Sequence, residues 1–366
     1  MVDMGAPLCA REKRGGFFMK AKVLLLGLMI AAMGGTAMAA QAIPDMRDAE
    51  MGGAPAAAER PIVIPEGSER LDVAKTRPYV SYISNVVYAQ VPSRGYESIP
   101  LRMDILKPQA KAPMPALVYV TGGGFINANK DSYLQQRMDL AEAGYVVASI
   151  EYRVAPTAIF PQPLEDVKAA VRYLRANAAK FNIDPAHIGI LGGSAGGYLT
   201  AMMGTTNGDK EFDVGEHLDE SSDVQAALDM YGLSDLTKVG DDYSDEVKAT
   251  HRSAGATEAL WVNGSPVFGG RDGGILANPE GAKAANPITY ISKKAAPFMF
   301  MHGTSDTSVS PSQTNLLHES LRARGLASTR YVVPHALHGG DYWVQPEVMK
   351  VIIAFFDKYL KGADGK

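Results

Sequence analysis

Four short apolar runs stand out along the chain, at residues 116–120, 145–150, 188–191 and 298–301. Each is apolar at successive rather than alternate positions, the pattern of strands in a sheet covered on both faces. Residues 80–90 and 99–106 predict two earlier strands, joined through the turn-rich Pro92-Ser93-Arg94-Gly95, and Tyr331-Val332-Val333 predicts a last short one. Helical periods lie between them. Leu164, Val167, Val171 and Leu174 fall on one stripe, with Pro163 where a first helical turn accepts proline. Further helices are predicted over residues 315–324, closed by Gly325, and over 348–360. Strand and helix alternating at this spacing predict the α/β class, with a mostly parallel sheet and helices on both faces. No internal repeat is visible.

The N-terminal pattern differs. Lys20 and Lys22 precede the apolar stretch 23–33, and Ala37-Met38-Ala39 follows as an A-x-A site. A positive start, a short apolar run and a small-residue exit read as a secretory signal, with residues 1–18 as an extension ahead of it. The run is shorter than the roughly 20 residues of a membrane span, so no membrane insertion is expected after cleavage, an uncleaved anchor being the alternative. Residues 1–40 are thus predicted to direct export to the periplasm or the exterior. Residues 41–77, rich in Ala, Pro, Glu and Gly without a sustained period, predict a linker or arm. The catalytic domain is expected over 78–366.

Composition narrows the function. The 366 residues are 46% hydrophobic and 21% charged, enough apolar material for a large core and too much for disorder. Lys and Arg number 36 against 40 Asp and Glu, a net charge of −4, and the longest basic cluster is the short Arg11-Glu12-Lys13-Arg14. Neither is a nucleic-acid footprint. The single Cys9 excludes an internal disulfide and any multi-cysteine zinc cluster.

Candidate chemistry sits where the 188–191 strand ends. Gly192-Gly193-Ser194-Ala195-Gly196-Gly197 fits G-x-S-x-G, a sharp strand-to-helix turn that holds a serine oxygen at a helix N-terminus. Two other readings compete. A dinucleotide loop would need glycine where Ser194 stands, and an ordinary turn serine would need no partners. Partners are present in order. Asp306 follows the 298–301 strand within His302-Gly303-Thr304-Ser305-Asp306, and His338 follows the last strand within Pro334-His335-Ala336-Leu337-His338-Gly339-Gly340. The order Ser194, Asp306, His338 is that of α/β hydrolases rather than of chymotrypsin or subtilisin types. His335 is the alternative base and Asp341 the alternative acid. His302 is read as a structural hydrogen-bonding residue, and His187, His217, His251 and His318 as surface or capping residues. Thr121-Gly122-Gly123-Gly124-Phe125 ends the 116–120 strand, and glycines there let backbone N–H groups converge as an oxyanion site requires. A simple glycine turn is the alternative.

Taken with Tyr152-Arg153-Val154-Ala155-Pro156, Phe160-Pro161, Asp166-Val167 and Ile183-Asp184-Pro185, these blocks resemble the hormone-sensitive-lipase-like and feruloyl-esterase-like branches of the α/β-hydrolase superfamily over roughly residues 80–360. The resemblance implies an eight-stranded sheet, a Ser-His-Asp triad of Ser194, His338 and Asp306, and no cofactor or metal. It implies oxyanion donors at the backbone N–H groups of Gly123, Gly124 and Ala195. Thr121 stands where those relatives usually carry a histidine that braces the glycine loop, which puts the bracing of this loop in question.

A small-molecule ester is therefore the expected substrate, short-chain or aryl- or carbohydrate-linked. A serine peptidase, a thioesterase or lactonase, and a non-catalytic binding protein on the same fold are the rivals. Residues 235–296, ahead of the acid-bearing strand, form a longer connection than the fold needs and predict a cap or binding insertion. Trp261 and Phe268 within it, and Trp343 after His338, are candidate pocket residues. For Trp261 and Phe268 the competing reading is a small core within the insertion, and for Trp343 packing against the last helix.

Overall fold

The apolar runs become the centre of an eight-stranded sheet in the computed structural model, which describes residues 63–362. In chain order the elements are β1 (Val80–Ser93), β2 (Tyr96–Pro108), β3 (Met114–Val120), α1 (Leu134–Glu142), β4 (Val146–Ile150), α2 (Gln162–Ala176), α3 (Ala178–Phe181) and β5 (Ile183–Gly193). They continue with α4 (Ala195–Thr205), β6 (Ala226–Met230), α5 (Asp245–His251), α6 (Thr257–Asn263), α7 (Pro279–Ala284), β7 (Phe298–Gly303), α8 (Ser312–Arg322), β8 (Ser328–Val333) and α9 (Pro346–Phe356). The strand order is β1-β2-β4-β3-β5-β6-β7-β8, antiparallel across β1, β2 and β4 and parallel from β4 onward.

Strand β3 shows why its sequence is apolar throughout. Ala116, Val118 and Val120 enter one core layer, while Leu117 and Tyr119 enter the other. Successive side chains point to opposite faces, and both faces are covered. The first layer takes Leu164 and Val167 of α2, Leu199 of α4 and Leu317 of α8. The second takes Leu140 of α1 and Ile352 and Phe356 of α9. Helix α1 carries no apolar stripe in sequence because two of its four buried residues are Gln136 and Arg137. The last helix starts two residues earlier than the pattern predicts, at Pro346, and passes into a π-turn over Asp357–Lys361.

Contacts divide the chain into Met1–Asp72 and Val73–Lys366. The predicted export segment, residues 1–40, lies outside the described residues, as does the predicted linker up to residue 62. Residues 63–77 form neither helix nor strand. Within Val73–Lys366, the long connection between β6 and β7 holds α5, α6 and α7, and its two ends are tied by one side chain. Asn286 Oδ1 accepts from the Leu236 N–H at 2.9 Å, and its Nδ2 donates to Asp235 Oδ1 at 3.1 Å.

Candidate active site

Strand β5 ends in a turn that no ordinary residue enters freely. Ser194 has φ 57° and ψ −125°, held by its own N–H donating to the Met230 carbonyl at 2.9 Å and by its carbonyl accepting from Tyr198 at 2.9 Å. Such a conformation costs about 1–3 kcal/mol and persists only where the surroundings over-determine it. Here glycine is what permits the crowding: a Cβ on Gly196 would fall on the Val120 carbonyl. The serine side chain is thereby left at the N-terminus of α4.

Two other strand ends meet it. The ends of β7 and β8 are stitched together, with Thr304 N–H donating to the Val333 carbonyl at 3.1 Å and Ser305 N–H to the Ala336 carbonyl at 3.0 Å. The stitching brings the Asp306 and His338 loops side by side. His338 Nε2 lies 2.8 Å from Ser194 Oγ, and its Nδ1 lies 2.7 Å from Asp306 Oδ2. With Nδ1–H donating to the carboxylate, Nε2 is the acceptor facing the serine hydroxyl. His335, the alternative base, is exposed and uses its backbone N–H on Thr304 Oγ1. Asp341, the alternative acid, is also exposed.

Asp306 is the most heavily engaged group of the three. Its Oδ1 accepts from the N–H groups of Ser308 and Val309 at 2.8 and 3.0 Å, and its Oδ2 also lies 3.2 Å from His302 Nε2. Burial alone would raise its titration, but the bonds from His302 and His338, with the Val309 N–H, outweigh it and hold the carboxyl well below the usual range. A carboxyl depressed on folding stabilises the fold above its unfolded value, near pH 4, and loses that contribution as pH falls. The stability difference between the protein and Asp306→Asn is therefore expected to shrink from pH 6 towards pH 3, read by denaturant unfolding at each pH. A difference that stays constant or grows would show that the carboxylate is not what these bonds stabilise.

His302 is the structural hydrogen-bonding residue that the sequence suggests, and the structure adds its contact with Asp306. It is fully buried, donates from Nε2 to the Val309 carbonyl at 3.0 Å as well as facing Asp306, and meets Thr314 Oγ1 at 3.0 Å through Nδ1. Tyr231, missed entirely, sits just after β6 at φ 43°. Its ring lies 4.9 Å from that of His338 and 4.7 Å from that of Trp343, and its hydroxyl is 3.2 Å from that of Tyr133. No local signal announces the place of Tyr231, because it depends on strand ends that are distant in sequence.

The glycine loop 122–124 faces the same space. Gly123 and Gly124 adopt φ 159° and 58°, and the loop is closed by Ile126 and Asn127 N–H groups donating to the Gly123 carbonyl at 3.1 and 3.0 Å. Among the described residues the N–H groups of Gly123, Gly124 and Ala195 have no acceptor. Bracing comes from elsewhere than a histidine at position 121. The Tyr152 hydroxyl donates to the Thr121 carbonyl at 2.8 Å, and Ala155 N–H donates to the Phe125 carbonyl at 2.9 Å.

Together these groups line a cavity of about 490 Å³, the size of small-molecule sites. Ser194, Ala195, Gly123, Gly124 and His338 border it, with Phe125, Leu233, Val239 and Val309 as apolar wall. The three candidate pocket residues are not on that wall. Trp343 is fully buried behind Tyr231, where its Nε1 donates to the Leu337 carbonyl at 3.0 Å and so holds the residue next to His338. Trp261 is fully buried, 4.5 Å ring to ring from Phe125 and 6.0 Å from Tyr198. Phe268 borders a different cleft, with the Arg94 guanidinium 3.5 Å above its ring. Apolar mass drew Trp261 and Trp343 inward, and Phe268 found a cation. Asp229, at the end of β6, is fully buried and pushed up to about 8 by burial, against one bond from the Gly232 N–H. No hydrogen bond or ion pair joins it to His338 among the described residues.

Among known proteins, the family model described as BD-FAE matches residues 103–321. This chain belongs to the BD-FAE family. Its match runs from within β2 to the last turn of α8 and includes the elbow at Ser194 and the Asp306 turn. Esterase LipQ of Mycobacterium tuberculosis is 30% identical over 269 residues, covering 72% of this chain and 59% of that protein. Esterase LipC of the same organism is 33% identical over 233 residues, covering 63% of this chain and 54% of that protein. The chain thus spans somewhat more than half the length of these curated relatives. Among solved structures, a truncated carbohydrate esterase from gut microbiota superposes with a TM-score of 0.67 at 28% identity, over 79% of this chain and 99% of that one. The Bacteroides eggerthii bifunctional GH43-CE protein gives 0.65 at 31% identity, over 76% of this chain and 35% of that one. This BD-FAE member therefore has the α/β-hydrolase fold. Its described residues contain no group of three or more His, Cys, Asp or Glu able to hold a metal ion, and no helix long and apolar enough to cross a membrane.

Proposed function

We propose that this chain is a carboxylic ester hydrolase that works through an acyl-enzyme on Ser194, with His338 as base and acid and Asp306 as its partner. The observation that carries the reading is the unbroken series of contacts Ser194 Oγ to His338 Nε2 at 2.8 Å and His338 Nδ1 to Asp306 Oδ2 at 2.7 Å, opening on the cavity. Ser194 attacks the ester carbonyl as His338 takes its proton, and Asp306 stabilises the imidazolium. The N–H groups of Gly123, Gly124 and Ala195 receive the oxyanion, where losing one donor typically costs about 3–4 kcal/mol. His338 then protonates the departing alcohol, water attacks the acyl carbonyl, and Ser194 leaves with its proton restored.

Short-chain esters, or aryl- and carbohydrate-linked ones, are the proposed substrates; the cavity volume and the esterase and carbohydrate-esterase relatives support that range. Turnover of p-nitrophenyl acetate through octanoate tests it. Activity highest on the short acyl chains is expected, and no turnover of any member would overturn the proposal. Export to the periplasm or exterior is proposed from residues 20–39, with residues 78–366 as the catalytic unit, and N-terminal sequencing of the mature protein should begin at Ala40.

His302 enters this mechanism as a positioning residue for Asp306. His302→Leu is expected to lower kcat by about tenfold to a hundredfold with KM nearly unchanged, the size of a small misplacement of a catalytic group. His302→Gln, which keeps a donor, should recover much of the loss. Equal losses in both variants would assign His302 to packing alone.

A further inference from the structure

The serine cavity has a second polar pair on its wall. His251, Thr257 and Glu258 border it, and they come from the end of α5 and the start of α6, in the long connection before β7. Glu258 is 3% exposed, in a place where a carboxylate is costly unless paired. Its Oε1 lies 2.6 Å from His251 Nδ1, and its Oε2 accepts from Thr257 Oγ1 at 3.3 Å. No lysine or arginine pairs with it among the described residues. Gly240 leaves room for the ring, since a Cβ there would come within 2.8 Å of His251 Cδ2.

This arrangement orients an imidazole, as Asp306 does for His338, but with no hydroxyl or thiol bonded to its other nitrogen among the described residues. Glu258 engages Nδ1, so Nε2 is the remaining polar atom of the ring, and it has no partner among the described residues. In the neutral ring Nε2 is an acceptor, fixed by the hydrogen bond that Nδ1 makes. The rest of the pair is a carboxylate, which also accepts and does not donate. Between an apolar wall of Phe125, Leu233, Val239 and Val309 and hydroxyl-bearing residues such as Tyr133 and Ser308, the cavity thus carries an oriented imidazole nitrogen.

We propose that His251, oriented by Glu258, is a specificity-determining residue that accepts a hydrogen bond from a hydroxyl of the ester. It would favour hydroxylated esters over apolar ones of similar size. The inference rests on the esterase reading above and adds to it the residue that selects the substrate. A site built around such a bond discriminates strongly against the analogue lacking the hydroxyl, because its own polar group is then left unpaired.

The test compares two matched pairs of substrates. Phenyl acetate is set against a monoacetylated methyl xyloside, for a hydroxyl on the alcohol side. Phenyl butyrate is set against phenyl 3-hydroxybutyrate, for one on the acyl side. The quantity read is the ratio of kcat/KM, hydroxylated over plain, within each pair. In His251→Phe and in Glu258→Leu this ratio is expected to fall about tenfold in at least one pair, mainly through KM, the loss of one hydrogen bond. His251→Gln, which keeps an acceptor, should retain more of the ratio than His251→Phe. Ratios unchanged in both pairs, with the variants folded by thermal melting, would overturn the proposal and leave His251 and Glu258 as a tie between α5 and α6. A wild-type protein inert on all these esters would instead overturn the esterase reading on which the proposal rests.

Discussion

Ser194→Ala is expected to lower kcat/KM on p-nitrophenyl acetate by about 10⁴–10⁶-fold, with the fold intact. The size follows from the way nucleophile, base and acid act as one unit, so that deleting the nucleophile forfeits nearly all that the three supply together. In free energy this is roughly 5–8 kcal/mol of transition-state stabilisation. Residual hydrolysis would come from binding and the oxyanion donors. Alanine keeps the Cβ at φ 57°, so the strained turn, the Met230 and Tyr198 bonds and the cavity should all persist. Steady-state kinetics beside a thermal melt check both halves of the expectation. Undiminished hydrolysis by the variant would remove Ser194 from the chemistry and with it the reading of the elbow.

The second large effect is on stability. Asp166→Ala should destabilise the protein by about 3–5 kcal/mol, the cost of taking its forked partner from a buried charge that is left with Glu165, at 3.5 Å. On a domain of this size that corresponds to a fall in Tm on the order of 10 °C. Arg153 is 6% exposed and Asp166 1%, and their pairing is forked, with Nη2 to Oδ1 at 2.7 Å and Nε to Oδ2 at 2.9 Å. The Arg153 backbone N–H also donates to Asp166 Oδ2, at 2.8 Å. The pair anchors to α2 the same short segment whose Tyr152 and Ala155 hold the glycine loop. Activity is therefore expected to fall below that of the wild type at temperatures where the variant is still folded. Replacing both partners with apolar residues, as in Arg153→Met with Asp166→Leu, should recover part of the loss, since neither charge is then stranded. A double variant less stable than the single one would contradict that account.

What was legible in sequence is what strand ends display locally. Ser194, Asp306 and His338 each follow an apolar run that becomes β5, β7 or β8, and each lies within the few residues where a parallel sheet presents side chains to a common edge. The long connection before β7 was legible too, from its length. What depended on convergence was not. The bond between His302 and Asp306 joins neighbours in sequence, but its meaning rests on His338 arriving at the same carboxylate from β8. Tyr231 carries no pattern at all until His338 and Trp343 close on its ring. Trp343 misled by proximity: five residues after His338, it turns its indole inward and serves the loop from behind. The same limit explains the glycine loop. Thr121 lacks the bracing side chain, and its replacement, the Tyr152 hydroxyl, comes from the end of β4.

The Asn286 tie between the two ends of the β6–β7 connection has a wider consequence. A segment whose entrance and exit are clasped together forms a cassette, tied off at its ends and packed on the glycine loop and α4 through Trp261. The proposed reacting groups sit on strand ends outside this cassette, while His251, Thr257 and Glu258 ride within it. On the proposed roles, selectivity and chemistry thus lie on separate pieces of chain that meet at one cavity.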